Sequence, residues 1–216
     1  MRLILASVAC LALLGACSNG EKTARYLIDP PAGGARVPDR LGTAELKDVS
    51  LPEYASGDEL SWQSADGAVR SNTKQLWADN PQRAFTLALA RSISDLSGAT
   101  VIAEPWPLSE PPRRTLEVRV EKALAQADGL YRLTGRYFVG DSAAGGINQA
   151  RNFDISVPLA DTGPAAIARA QSQAIARLAG QIATLSGPGR SVRTSAAPQP
   201  RIDDIFSQPL PPLEGS

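Results

Sequence analysis

The sequence predicts a single α+β domain in which a mixed, mostly antiparallel sheet packs against two long helices, followed by a disordered Pro-rich tail. A length of 216 residues fits one domain with extensions, and an apolar content of 43% is enough for a core. The turn dipeptides Asp66-Gly67 and Asp128-Gly129 separate short segments in the way that is typical of hairpins. Two longer segments carry apolar residues at helical spacing, which completes the α+β pattern.

In the first half of the chain, prolines and turn dipeptides mark where the elements end. Asn80-Pro81 is a good helix entry, so 77–79 either begins the first helix or forms a turn before it. The expected elements are strands at 25–30 and at 41–51, a hairpin of Glu59–Gln63 with 68–71, and a helix at 77–96 with the stripe Phe85, Leu89, Ile93 and Leu96.

In the second half, alternation of apolar and polar residues indicates strands, as at Leu116, Val118 and Val120 between charged neighbours. Ile175, Leu178, Ile182 and Leu185 give the last helix its apolar stripe. The expected elements are strands at Thr100–Ala103, 116–121, 130–139 and 152–158, a flexible hairpin loop at 140–146, and a helix at 164–185. Six prolines within 187–216 favour disorder for that tail.

The N-terminus carries the strongest local signal. Met1-Arg2 is followed by an apolar run that is too short to span a bilayer but suits a signal peptide. Leu14-Gly15-Ala16-Cys17 then resembles a bacterial lipobox, in which small residues admit the peptidase and the Cys17 thiol accepts the lipid. The alternatives are a membrane-anchor helix or an ordinary secretory signal that happens to contain cysteine. We therefore expect a signal peptide at 1–16 and lipidation at Cys17.

Lipidation at Cys17 has consequences for the rest of the chain. Cys10 is discarded with the signal peptide, so no disulfide forms and the fold depends on its core. The resemblance to bacterial lipoproteins implies a triacylated N-terminus, and three acyl chains make the anchoring effectively permanent. The lipidated tether is expected at 17–25, where eight polar residues after the cysteine reach at most about 28 Å. The domain proper is expected at 26–186. Ser18 after the cysteine favours the outer membrane, with the domain facing the periplasm.

Composition argues against several function classes. The chain has no histidine, which removes Ser-His-Asp and Cys-His catalysis and the commonest zinc ligand. Lys and Arg balance Asp and Glu at 22 each, which disfavours nucleic acid as a partner. Ser71 and Lys74 have the Ser-x-x-Lys spacing, but the companion motifs of that enzyme class are absent. We expect no catalytic residues, no metal site and no cofactor.

The order of motifs resembles the ABC-transporter auxiliary lipoproteins of the PqiC type. The resemblance runs from Tyr26 to about Ile182, and it rests on the lipobox, Tyr26-Leu27, Val49-Ser50-Leu51-Pro52-Glu53-Tyr54, Trp62-Gln63-Ser64, Leu76-Trp77-Ala78, the strand from Thr115 and the final helix. It implies a non-enzymatic outer-membrane component of an intermembrane phospholipid transport system, working with an MCE-domain protein. It also allows a homo-oligomeric ring.

The candidate partner-binding residues are Leu51, Tyr54 and Trp62. They lie in the segment 51–54 and in the hairpin 60–69, and tryptophan is enriched in binding hot spots. Packing inside the domain is the alternative for all three. An outer-membrane assembly or structural lipoprotein, supporting lipopolysaccharide insertion or envelope integrity, is the alternative function.

Overall fold

The computed structural model of the protein describes residues 23–143 and 146–193. Within them the predicted α+β class is confirmed: a mixed sheet of nine strands packs against helices. The strands are β1 Ala24–Tyr26, β2 Thr43–Leu46, β3 Glu59–Gln63, β4 Val69–Trp77, β5 Thr100–Ala103, β6 Arg114–Ala125, β7 Leu130–Asp141, β8 Ile147–Pro158 and β9 Gly189–Arg193. The helices are α1 Glu53–Ser56, α2 Pro81–Ser97 and α3 Pro164–Thr184.

The centre of the sheet is an antiparallel meander of β6, β7 and β8, each of 12 residues. β9 pairs with β8 at one end of the sheet. On the side of β6 that faces away from β7, two strands share the edge. β2 pairs in parallel with the first residues of β6, and β3 pairs in parallel with Ala125, its last residue. β5 continues the sheet beyond β2, and β4 and β1 continue it beyond β3.

The two long helices begin and end at residues whose backbone roles are evident. The Asn80 side chain accepts a hydrogen bond from the N–H of Arg83 at 3.0 Å, so α2 begins at Pro81. It ends at Gly98, which has a φ of 74°. α3 ends instead at Leu185, a non-glycine residue with a φ of 56°. The Leu185 side chain packs against the core, and this contact accounts for a leucine in the left-handed region.

Both helices lie on the same side of the sheet and pack against each other. α3 covers β7 and β8, while α2 covers β5. Small side chains line the buried side of α3, which allows the helix to lie close to the sheet. These buried residues are Ala166, Ala168, Ala170, Ala174, Ala179 and Ala183.

The other face of β6 and β7 is polar. The Arg119 guanidinium lies 5.2 Å from the centroid of the Phe138 ring and also pairs with Glu117 at 2.5 Å. Arg136 and Glu121 approach to 3.6 Å on the same face. This alternation between a buried and a charged face is why β6 and β7 are predictable from sequence.

The structure corrects the strand expected at 41–51. Only Thr43–Leu46 is a regular strand, because side chains bind the backbone that follows it. The Asp48 N–H donates to Glu104 at 2.7 Å and the Val49 N–H donates to the Thr86 hydroxyl at 3.0 Å. An isolated bridge from Ser50 to Arg119 then resumes the contact with β6.

The structure also decides the alternatives around Trp77. Trp77 ends β4 and its N–H donates to the Asp58 carbonyl at 2.7 Å, so the helix entry is Asn80-Pro81 and not Trp77. β4 is longer than the expected 68–71, because its last three residues, Gln75–Trp77, pair with β1 after a polar stretch that has no period-two pattern.

Two expected irregular segments contain pairing. The tail expected to be disordered from residue 187 begins with β9, whose backbone pairs with 147–151 of β8. The loop expected at 140–146 is shortened, because β7 continues to Asp141 and β8 begins at Ile147. Residues from 194 onward, and 1–22 with Cys17, lie outside the described residues.

Candidate partner-binding surface

The edge of β6 between β2 and β3 is covered by the segment that leads into α1. The Lys47 N–H donates to the Leu116 carbonyl at 2.9 Å, and the Ser50 N–H donates to the Val118 carbonyl at 3.0 Å. The Val120 N–H donates back to Ser50 at 2.8 Å. This segment therefore bridges the two strands that share one edge of β6.

Tyr54 of α1 completes this cover. Its hydroxyl oxygen accepts a hydrogen bond from the Ala123 N–H at 3.2 Å, and its carbonyl accepts one from the Ser61 hydroxyl at 2.8 Å. Leu51, just before α1, is partly buried and packs against the core. Tyr54 thus satisfies a backbone donor that no strand reaches, and it ties α1 to β3.

Trp62 lies on the neighbouring strand. It pairs with Arg70 of β4 and with Ala125 of β6, and its side chain is partly buried against the core. The structure therefore places Tyr54 and Trp62 at the last residues of β6, whereas Leu51 follows Ser50, which bridges to Arg119 in the middle of that strand. All three make contacts inside the domain, as the alternative of internal packing predicts. Their binding to a partner stays a prediction.

An exposed depression of about 580 Å³ lies beside this cluster, between α1 and the β3–β4 hairpin. Its acidic side is formed by Glu53, Asp58 and Glu59, and its other side by Val69 and Arg70. Val69 is 46% exposed. We call this depression together with the outer edge of β4 the hairpin surface.

The outer edge of β4 is the feature of this surface that sequence reasoning missed. β1 pairs only with Gln75, Leu76 and Trp77, so within the described residues no strand pairs with the outer edge of 69–74. Unpaired strand edges bind extended segments of other chains by strand addition. Arg70 and Lys74 lie on this segment, and basic residues on an edge strand hinder indiscriminate pairing.

The turn of the hairpin is held by local polar contacts. Asp66 pairs with Arg70 at 2.5 Å and accepts the Ala68 N–H at 3.2 Å. Three hydrogen bonds hold the pKa of the Asp66 carboxyl below its ordinary value. The bond from Ser64 has the largest effect, followed by those from Ala68 and Arg70. These contacts define the conformation in which the hairpin presents its edge.

The densest cluster of charged side chains lies elsewhere, between β2 and the loop after β5. Lys47 is 2.8 Å from Glu45 and 3.0 Å from Glu104. The pKa of Glu104 lies below its ordinary value, because its carboxylate accepts hydrogen bonds from the Asp48 N–H, which has the larger effect, and from the Lys47 side chain. Glu45 also accepts the Trp106 N–H at 3.0 Å. These carboxylates bind backbone and hold the loop, so they are not arranged for acid–base work.

Three further possibilities are the Ser-x-x-Lys pair, a metal site and a membrane-spanning helix. Ser71 donates to the carboxylate of Glu59 across the hairpin, rather than to Lys74. Within 23–143 and 146–193, no group of three or more metal-ligating side chains comes together. The helices in those residues include none that is both long enough and apolar enough to cross a membrane.

Comparisons with known proteins identify a matching family model and solved structures of similar fold. A family model described as "ABC-type transport auxiliary lipoprotein component" matches residues 26–183. A crystal structure of an uncharacterized protein superposes with a TM-score of 0.58 at 18% identity, covering 70% of this chain and 99% of the other. A Xanthomonas campestris protein of the family model DUF330 superposes with a TM-score of 0.55 at 15% identity, covering 71% and 90%. No curated protein matches the chain.

Proposed function

Because the chain belongs to the family of ABC-type transport auxiliary lipoprotein components, we propose that it docks the MCE-domain assembly of such a transporter to the outer membrane. In this proposal Cys17 carries the lipid, the domain faces the periplasm, and the protein performs no catalysis. The hairpin surface, with Leu51, Tyr54 and Trp62 behind it, receives the MCE-domain protein.

The unpaired edge of β4 is the observation that carries the proposal. An edge strand supplies a row of backbone donors and acceptors, and strand addition uses these for affinity while neighbouring side chains give specificity. The contacts of Tyr54 and Trp62 with β6 support β3 from behind, and β3 in turn pairs with 69–71 of β4, so the sheet holds this part of the edge in place.

The tether supports the same function. A lipid at Cys17 and at most about 28 Å of chain restrict the domain to a thin layer beneath the membrane. A partner that arrives from the inner membrane then meets the domain at high effective concentration, so a weak interface is sufficient.

Site-specific photo-crosslinking in native envelopes tests the proposal. A photoreactive residue at Val69 or Thr73, both exposed on β4, is expected to form adducts with an MCE-domain protein. Leu108 is the matched control, because it is also exposed but lies in the loop before β6, at the other end of that strand. Adducts between two copies of this chain would indicate a homo-oligomer using this edge. Adducts at Val69 and Thr73 only with other envelope proteins would contradict the proposal.

A further inference from the structure

An apolar surface surrounds Leu27, which directly follows β1. At 68% exposure Leu27 is the most exposed large apolar side chain in the described part of the chain, and Leu87 of α2 is 45% exposed. Both line a depression of about 250 Å³. Leu27 also lines a second depression of about 400 Å³, with Ala165 of α3 on its far side. We call the region of Leu27, Leu87 and Ala165 the Leu27 surface.

The core does not require a leucine at this position. Tyr26 and Ile28, on either side of Leu27, pack against the core, whereas Leu27 points outward between the two helices. A single exposed leucine is ordinary on a protein surface. Here a second exposed leucine lies in the same depression, and apolar residues of both helices surround the pair.

Basic side chains surround the Leu27 surface. Arg169 lines the second depression and has no ion pair within the described residues, and exposed Arg25 bonds only to the Trp77 carbonyl, at 3.4 Å. Arg91 pairs with Asp29 at 2.8 Å. Asp79, which lines the first depression, pairs with Arg83 outside it, so both carboxylates of the surface are neutralised. Arg169 in the second depression, and Arg25 two residues before Leu27, are left without an ion pair within the described residues.

The anchor lies close to this surface along the chain. Six residues separate Cys17 from the start of β1, and Leu27 follows β1 directly. Seven residue steps reach at most about 25 Å, so a lipid at Cys17 holds β1 near the bilayer.

We infer that the Leu27 surface lies on the phospholipid bilayer, with Leu27 and Leu87 among the headgroups and Arg25 and Arg169 at lipid phosphates. Apolar side chains ringed by arginine are the chemistry that an anionic lipid interface binds. The inference rests on the lipid anchor of the proposed function, and it adds an orientation to that function.

The orientation agrees with the position of the hairpin surface. Trp77 at the end of β4 lines the Leu27 depression, while Val69 at the start of β4 lies by the hairpin turn. Leu76 pairs with Glu59 and Val69 pairs with Gln63, and these four residue steps of β3 span about 13 Å. Contact between the Leu27 surface and the bilayer therefore leaves the hairpin turn at the other end of β4, available to a partner.

Lipid quenching of a fluorophore tests the inference. In the full-length acylated protein, Leu27→Cys supplies the one reactive thiol, because Cys10 is removed and the Cys17 sulfur is blocked by lipid. The labelled protein is reconstituted in vesicles of phosphatidylethanolamine and phosphatidylglycerol that contain a spin-labelled lipid. Quenching at position 27 is expected to exceed, several-fold, quenching at Val192→Cys, an exposed position of β9.

Charge substitutions provide a second measurement. Arg25→Glu combined with Arg169→Glu is expected to lower the quenching at position 27 several-fold, because both residues are exposed and would repel lipid phosphate. Arg190→Glu on exposed β9 is the matched control and is expected to leave the quenching unchanged.

The outcomes separate the inference from the function. If mass spectrometry shows that Cys17 is acylated and quenching is equal at positions 27 and 192, the inference is overturned and the docking function is left intact. A fluorophore at position 27 that is shielded from water yet unquenched by lipid indicates a protein on this surface and also overturns it. A Cys17 without acyl groups overturns both.

Discussion

At the scale of single residues, Gly135 shows how closely two strands of this sheet approach. A Cβ atom at Gly135 would lie 2.1 Å from the Arg119 carbonyl oxygen and 2.8 Å from Cζ of Phe153. The register of β6 against β7 shifts between Val120 and Lys122, beside this position. Glycine is required here by close backbone approach, not by a positive φ.

Gly135→Ala is expected to lower the free energy of unfolding by about 3 kcal/mol, because backbone must move to accept the methyl group. Gly57→Ala is the matched control: its Cβ would meet nothing within 4 Å, and its φ of −74° suits alanine. Chemical denaturation of the two variants measures the difference. Equal denaturation midpoints for both variants would contradict the packing assigned to Gly135.

At the scale of elements, two tyrosines of β7 hold α3 on the sheet. The Tyr131 hydroxyl donates to Gln171 at 2.9 Å, and the Tyr137 hydroxyl donates to the Ser186 carbonyl just beyond the helix. Burial raises the pKa of Tyr131 and raises that of Tyr137 to about 12, while the Arg151 charge acts on Tyr137 in the opposite direction. Gln171 lies two turns into α3 and Ser186 lies just beyond its last residue, so the two contacts are well separated along the helix and align it with β7.

These raised pKa values predict a loss of stability at high pH. The unfolded chain ionises its tyrosines near pH 10, whereas the folded protein keeps Tyr131 and Tyr137 neutral to higher pH. Their contribution is therefore complete below pH 10 and decreases as pH rises from 10 towards 12. Denaturation at pH 8, 10 and 11 measures the decrease, which should be smaller in the Tyr131→Phe, Tyr137→Phe double variant. Tyr26→Phe serves as the control, and a decrease of the same size in the double variant would refute the assignment.

β9 differs from the other elements because it buries nothing. All five of its residues are exposed, and it pairs only with β8 within the described residues. A chain ending at Gly187 keeps Ser186, the acceptor of Tyr137, so its thermal midpoint is expected to fall by only a few degrees. Ending the chain at Ala174 removes buried Ile175, Leu178 and Ile182 and is expected to abolish folding. Calorimetry of the two truncations compares them, and unfolding of the first would show that β9 is required.

At the scale of the whole molecule, the parts that interact are distant along the chain. Tyr54 binds Ala123 and Asp29 binds Ser172, contacts that join opposite halves of the sequence. In the proposed function a short tether joins the lipid anchor to the domain, so that function depends on the chemistry of a single cysteine, Cys17. Loss of that lipid would release the domain from the membrane without altering its core.

Cys17→Ala is therefore expected to prevent acylation and to leave an unprocessed precursor. Cys10→Ala removes the other cysteine, which lies within the predicted signal peptide, and processing is expected to continue normally. Envelope fractionation and mass spectrometry of the mature N-terminus distinguish the two variants. A free thiol at Cys17, or cleavage at another residue, would end the lipoprotein assignment at this site.

The candidate surface was only partly accessible to sequence reasoning. Trp62 could be selected because tryptophan is enriched in binding hot spots, and Leu51 and Tyr54 because their segment carries the family resemblance. The meeting of Tyr54 and Trp62 at the last residues of β6 could not be inferred, because the Tyr54 hydroxyl and the Ala123 N–H are 69 residues apart in the chain. The free edge of β4 was hidden as well, since its polar residues show no alternation.

Sequence alone determined the features whose physical signals are local. These are the stripe and the caps of α2 and the alternation of β6 to β8, each set by neighbours within a few residues. The lipobox pattern at Cys17 is equally local, and lipidation there stays a prediction. Tertiary structure alone decided that β2 and β3 share one edge of β6, that Trp77 ends a strand, and that Gly189–Arg193 pairs with β8. The physical reason is that backbone donors and acceptors must all be satisfied, and which distant segment satisfies them depends on packing that no local pattern records.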